Sequence, residues 1–209
     1  MSALKSLWTS APRAATVDDL RTFLSRRAAF AAQKAVTDYC EVKAGLNRDA
    51  LFAEASFRDA LTACRWESFA AVLSDLLVLA HTHLAPHVAG HETVLAERLA
   101  GVGRAILAAE PPPAHRPEGW DDVTVAIASR LAETAGHPPR PPAEVARAAA
   151  RRVLATLPIH ENHRRTDREA IVGAVRFHIV SAWDAMLIEV DAAATAADLL
   201  SDRRTGLAG

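Results

Sequence analysis

The feature that most constrains this chain is its hydrophobic periodicity, which is helical in every long segment. Apolar residues recur at intervals of three and four, as Val17, Leu20 and Leu24 do, and this spacing places them on one face of an α-helix. No segment has the sustained alternation of polar and apolar residues that a half-buried strand needs. Only 5% of the residues are aromatic, which favours closely packed helices over a sandwich or barrel. We therefore predict an all-α fold.

Capping residues, glycines and prolines divide the chain into a single bundle of about six long helices. The predicted ranges are 17–43, 57–84, a segment carrying residues 94–106, 121–135, 142–157 and 166–200, with a short helix at 48–54 and a loop at 159–165. The last helix would be the longest, about 50 Å at 1.5 Å per residue. Between Phe177 and Val190 its apolar residues lie on nearly all sides, which predicts a central position in the bundle.

Domain organisation follows from the length and from two proline-rich breaks. A chain of 209 residues can bury a substantial core as one domain. We predict a flexible N-terminal arm at 1–15, a helical bundle domain at 16–200 and a flexible tail at 201–209. The proline-rich segments 111–117 and 137–142 are predicted connectors, and a subdivision of the bundle near 111–117 is the alternative.

Charge and composition restrict the partners. Twenty-four basic and 25 acidic residues give a formal net charge of -1, so no global field attracts nucleic acid or an anionic membrane. The one basic bias, between residues 140 and 168, has no interleaved aromatic residues to stack bases, and we interpret it as a solvated face. The N-terminus lacks an apolar signal region, and the most apolar run, 69–80, is shorter than a bilayer requires. With Cys40 and Cys64 expected to be buried in helices, we predict a cytoplasmic protein without a membrane partner.

A histidine run in the middle of the chain is the first candidate site. His83, His87 and His91 have the i, i+4, i+8 spacing that aligns ligands on one helix face, and Glu92 follows directly. Pro86 interrupts the run and favours a break there, so we prefer a polar corner between helices. Metal or haem ligation by these four residues is the alternative. The further candidate ligands, if the fold brings them close, are His160, Glu161 and His163.

The second candidate site lies in the last helix. Arg176, His178 and Asp184 occur within its most apolar stretch, where an unpaired charge would cost several kcal/mol, so each should have a partner. Together with Trp183 they form a candidate ligand pocket. A structural polar network made by the same side chains is the competing interpretation.

Motifs that would identify an enzyme are missing from the sequence. It contains no HExxH, GxSxG or GxxxxGK[ST] motif, and no acid is followed by a histidine three residues later. We therefore favour a helical binding protein over an enzyme, with a regulatory or adaptor role through contacts with a protein partner or its own copies. The alternative is a histidine-ligated metal- or haem-binding helical protein, with or without an enzymatic activity.

Overall fold

The computed structural model describes residues 13–201, and every regular element within that range is helical. The α-helices, in chain order, are α1 (Val17–Gln33), α2 (Tyr39–Ala44), α3 (Arg48–Ala53), α4 (Ala55–Leu84), α5 (Glu92–Leu107), α6 (Asp121–Ala135), α7 (Pro142–Val145), α8 (Arg147–Thr156), α9 (Glu161–Thr166), α10 (Arg168–Glu189) and α11 (Ala192–Ser201). A π-helical turn, Lys34–Asp38, joins α1 to α2. The predicted all-α class is confirmed. Most of the predicted N-terminal arm and nearly all of the tail lie outside the described residues.

Helix α4 forms the centre of the structure. It has 30 residues, about 45 Å of helix, and α1, α5, α6, α8 and α10 all contact it. Its second half has buried residues on every side, and Leu73, Leu76 and Leu79 are fully buried. In its most apolar stretch of 18 residues, 67% of the positions are buried, against 28% in α10. The expectation that the last helix is central was therefore wrong, because neighbours surround α4 and leave one side of α10 open.

The expectation of one continuous last helix was also wrong, because the chain becomes extended at Val190. There φ is -108° and ψ is 125°, and Val190 forms an isolated parallel β-bridge with Ala14. The Ala14 N–H donates to the carbonyl of Glu189 at 2.7 Å, and the Asp191 N–H donates to the Ala14 carbonyl at 2.8 Å. Asp191 then caps α11 by accepting from the Ala194 N–H at 3.0 Å. The incoming N-terminal segment thus stabilises the break.

The start of α1 agrees with its sequence signals. Thr16 and Asp19 form a reciprocal capping box, as the cap-type residue before two acids predicts. Asp198 of α11 adds a tertiary contact by accepting from the Val17 N–H at 2.7 Å. The helical path then continues through the π-turn to Ala44, and Gly45 ends it with a φ of 51°, a backbone conformation that favours glycine.

The other helix boundaries agree with the sequence prediction in two cases and differ from it in two. α6 has the predicted bounds of 121–135, and α4 ends at Leu84 just before Pro86. The helix predicted at 142–157 is divided at Ala146 into α7 and α8. Much of the loop predicted at 159–165 is helix α9. His160 starts that helix by accepting from the Asn162 N–H at 3.2 Å.

Two helical segments are long and apolar enough to cross a membrane by length and composition alone, residues 55–87 and Arg168–Glu189. The first is mostly buried inside the protein, so packing in the core accounts for its apolar character. The second, α10, is mostly not buried, so its apolar residues need another explanation.

Two glycines in helices test how packing decides the effect of a methyl group. A Cβ on Gly103 would lie 2.7 Å from Cδ1 of the buried Leu77 and 3.6 Å from Cγ2 of Ile127, whereas a Cβ on Gly173 would meet nothing within 4 Å. We expect Gly103→Ala to destabilise the fold by about 1–2 kcal/mol through overpacking. Gly173→Ala should stabilise it by about 0.5–1 kcal/mol, because alanine is the better helix former. Urea denaturation at low micromolar concentration measures both. Equal effects would contradict the close approach of α4, α5 and α6.

Candidate functional site

The histidine run forms a corner between α4 and α5. His81 is buried, with its Nε2 3.2 Å from the carbonyl oxygen of Glu92, and His83 Nε2 is 3.4 Å from the carbonyl oxygen of Val190. Burial lowers the pKa of both His81 and His83, which favours neutral rings. His87 and His91 lie exposed in the connection between the two helices. The run therefore lies where α4, α5 and the extended residue Val190 meet, as the polar-corner interpretation predicts.

The predicted metal ligands are not brought together. Within residues 13–201, no group of three or more His, Cys, Asp or Glu side chains is placed to hold a metal ion. The physical reason is the break at Pro86, which ends the helix that would have aligned His83, His87 and His91. Glu92 instead accepts from the Gly90 N–H at 3.1 Å. Haem binding stays a prediction without a structural argument in its favour.

The predicted pocket residues of α10 face different directions. The His178 ring lies against Phe30 and Phe177, with ring centroids 5.8 and 5.4 Å apart. Trp183 packs edge-on against His83, with centroids 6.1 Å apart. His178 and Trp183 are about 140° apart around a helix that turns 100° per residue. The two charged candidates, which complete the predicted set, are exposed and lie in neither contact: Arg176 and Asp184.

The outer side of α10 is an apolar surface. Phe177 is 67% exposed, Leu187 44% and Ile188 66%. The exposed and half-exposed residues of this side span about 140° of the helix circumference, and we call them the α10 face. They are Gly173, Arg176, Phe177, Val180, Ser181, Asp184, Leu187 and Ile188. Isolated exposed apolar residues are common on proteins, but a contiguous patch marks an interaction surface.

Two opposite charges lie on the α10 face. Arg176 and Asp184 are eight residues apart, about 12 Å along the helix axis. Neither has a hydrogen bond or an ion pair within the described part of the chain. The expectation that each would find a partner inside the fold was therefore wrong for these two, because the helix segment that carries them is open to solvent.

A buried carboxylate that the sequence analysis missed connects three distant segments. Glu67 of α4 has a side chain only 9% exposed, and its Oε1 accepts from Arg116 Nε at 2.5 Å. Its Oε2 accepts from Arg152 Nε at 2.9 Å, and His115 Nε2 lies 3.1 Å from Oε1. Burial alone would raise the pKa of Glu67, but the hydrogen bonds and charges of the two arginines overcome that effect and lower the pKa to about 2.

A cleft of about 380 Å³ beside this network is lined by Arg116, Arg130 and Arg152 among others. Three acids balance these cations: Glu67, Asp122 and the fully buried Asp75 beneath Arg130. Arg130 NH1 lies 2.5 Å from Asp75 Oδ1. Each of the three arginines is paired with an acid, so the group carries no net charge that would favour an anion. We interpret this polar group as structural.

A second cleft, of about 440 Å³, opens between α1, α4 and α5. Trp66, Phe69 and Ile106 form its apolar wall, and Thr62 and Arg65 contribute polar groups. Its size is that of a small-molecule pocket.

No protein-family model, curated protein or solved structure matches this chain. Among the surfaces described, the α10 face departs furthest from an ordinary solvated surface, because large apolar side chains surround two unpaired charges. Nothing in the sequence pattern alone distinguished this exposed face from a buried one, since both are apolar. The α10 face is therefore the candidate functional site.

Replacing the buried carboxylate tests the Glu67 network. Glu67→Gln should destabilise the fold by about 2–3 kcal/mol, because it leaves the partly buried Arg116 without its main counter-charge. The half-exposed Arg152 can return to water, which limits the loss. Asp122→Asn is the matched control, since that acid also pairs with Arg116 but is 67% exposed, and it should cost under about 1 kcal/mol. Chemical denaturation distinguishes the two, and similar losses would contradict a structural role specific to Glu67.

The two buried acids should give opposite pH dependences. The pKa of Glu67 is lowered from 4.5 to about 2, so its stabilisation is complete above pH 4.5 and is lost as the pH falls towards 2. Burial raises the pKa of Asp75 from 3.8 to about 6, against the lowering by Arg130 and the Ala149 N–H. The folded state then binds the extra proton, so the contribution of Asp75 falls as the pH rises from about 4 to 6. Unfolding free energies measured at pH 2–7 should lose the first slope in Glu67→Gln and the second in Asp75→Asn. Unchanged slopes would contradict these assignments.

Proposed function

We propose that this protein is a helical binding protein that acts through protein–protein contacts at the α10 face, in a cytoplasmic regulatory or adaptor role. The single observation that carries the proposal is the exposure of Phe177, Leu187 and Ile188 on one side of α10. Large apolar side chains on one helix stripe lose contact with water when a partner helix or groove covers them. A protein with an apolar helix or groove is thus the partner that best complements this surface.

The spacing of the apolar residues supports a helical contact. Phe177, Val180 and Leu187 follow the i, i+3 and i+10 positions of one face, which is the spacing by which packed helices contact each other. Phe30 of α1 is 54% exposed and extends the surface beside His178. The two charges on the face supply orientation, because a partner must offer groups of opposite sign to both.

A photo-crosslinking experiment tests this proposal. The photoreactive amino acid p-benzoylphenylalanine is placed at position 177 of the full chain in the cell that produces it, and the adducts are identified by mass spectrometry. We expect a defined protein adduct at 177, because a partner that covers the α10 face brings C–H bonds within reach of the probe. Val125 of α6 is the matched control, since it is also a large apolar residue on a helix and is 69% exposed.

The outcomes separate the alternatives. A protein adduct that forms at 177 and not at 125, and that Ile188→Ser diminishes, supports the proposal. Equal labelling at the two positions, or no adduct at 177, contradicts it. Adducts made with lipid instead of protein would also overturn it, and would identify α10 as a membrane-contacting helix.

A further inference from the structure

We infer that the occupant of the α10 face is α10 of a second copy of this chain, packed antiparallel about a two-fold axis near Val180. This inference rests on the proposed function, because it names the partner of the same surface. Three properties of the face support it: the placement of the charges, the placement of a small and a large residue, and the absence of an internal reason for Gly173. The first two are self-complementary about Val180.

The charges are symmetric about Val180. Arg176 precedes Val180 by four residues and Asp184 follows it by four, so each lies about 6 Å from it along the helix axis. A two-fold axis perpendicular to α10 at Val180 places Arg176 of each copy level with Asp184 of the other. The two positions differ by about 80° around the helix, a lateral offset that the long arginine side chain can span. Two ion pairs then form, and both charges that lack a partner within the described residues acquire one.

A small residue and a large residue lie at equal distances on either side of Val180. Gly173 precedes Val180 by seven residues and Leu187 follows it by seven. The same axis therefore brings the exposed Leu187 of one copy to the level of Gly173 of the other, where no side chain occupies the space. A large residue opposite a small one is how helix surfaces interdigitate. Val180 meets its own counterpart at the axis.

Gly173 has no role inside its own chain that requires a glycine. A Cβ there would meet nothing within 4 Å, and its φ is not in the positive region. Glycine in a helix interior is less favourable than alanine. Gly103 differs, because α4 and α6 approach it so closely that a side chain there would clash within the same chain. Close approach by a second copy supplies the missing reason for Gly173.

Charge reversal in two separate variants tests the symmetry. Sedimentation velocity of the full chain should show a dimer for the wild-type protein. Arg176→Glu and Asp184→Arg should each raise the dissociation constant about tenfold or more, because each creates two like-charge contacts. A 1:1 mixture of the two variants should restore the dimer. In the mixed dimer the introduced glutamate of one copy faces the introduced arginine of the other, and the unchanged Asp184 and Arg176 form the second pair.

Two further variants control for folding and for general charge effects. Arg104→Glu reverses an exposed arginine of α5 and should leave the dissociation constant unchanged. Gly173→Leu fills the space expected for Leu187 and should abolish the dimer, while circular dichroism and urea denaturation show a folded chain. A dimer that survives Gly173→Leu overturns this register.

The result that overturns the inference is distinct from failure of the proposed function. A wild-type chain that stays monomeric up to about 100 μM, or a mixture of the charge variants that stays monomeric, overturns the symmetric dimer. If position 177 still forms a defined adduct with another protein, the proposed function stands and only the identity of the partner is wrong. If neither the dimer nor the adduct forms, both are overturned.

Discussion

The burial of α4 is the constraint on which the rest of the structure depends. Its second half has buried residues on every side, so the helix is stable only when neighbours cover all its sides. α1, α5, α6, α8 and α10 supply that cover. The close approach at Gly103 allows α5 to pack against both α4 and α6. α10 lies at the edge of this core, where one of its sides stays exposed to solvent.

The buried carboxylates of α4 attach one proline-rich connector and α8 to the core. Glu67 binds Arg116 in one connector and Arg152 in α8, and Asp75 accepts from the backbone N–H of Ala149 at 3.1 Å. Buried carboxylates of this kind are tolerated only with counter-charges and donors. Because hydrogen bonds and ion pairs are directional, they fix the positions of the connector and α8 more closely than apolar contacts can.

The two sides of α10 explain why the candidate site was only partly predictable. The sequence analysis selected Arg176, His178, Trp183 and Asp184 because charged and aromatic groups in an apolar helix need partners. His178 and Trp183 found aromatic neighbours in the fold, whereas Arg176 and Asp184 stayed exposed. Apolar periodicity cannot distinguish a helix face covered by its own chain from one left for another molecule, because both remove the same side chains from water. The Glu67 network was missed because Glu67 lies 48 or more residues in sequence from each of its partners.

The sequence by itself determined the helical class, the cap of α1, the bounds of α6 and the end of α4 before Pro86. These features depend on residues within a few positions of one another, where capping, proline geometry and hydrophobic spacing act. Only the tertiary structure decided which helix is central, where the last helix breaks and which backbone carbonyls His81 and His83 contact. The break at Val190 depends on a contact with Ala14. The burial of α4 depends on helices from both halves of the chain, and the α10 face is exposed because no other helix covers that side of α10 within the described residues. Each is a contact between residues far apart in the chain, and local propensity carries no information about such contacts.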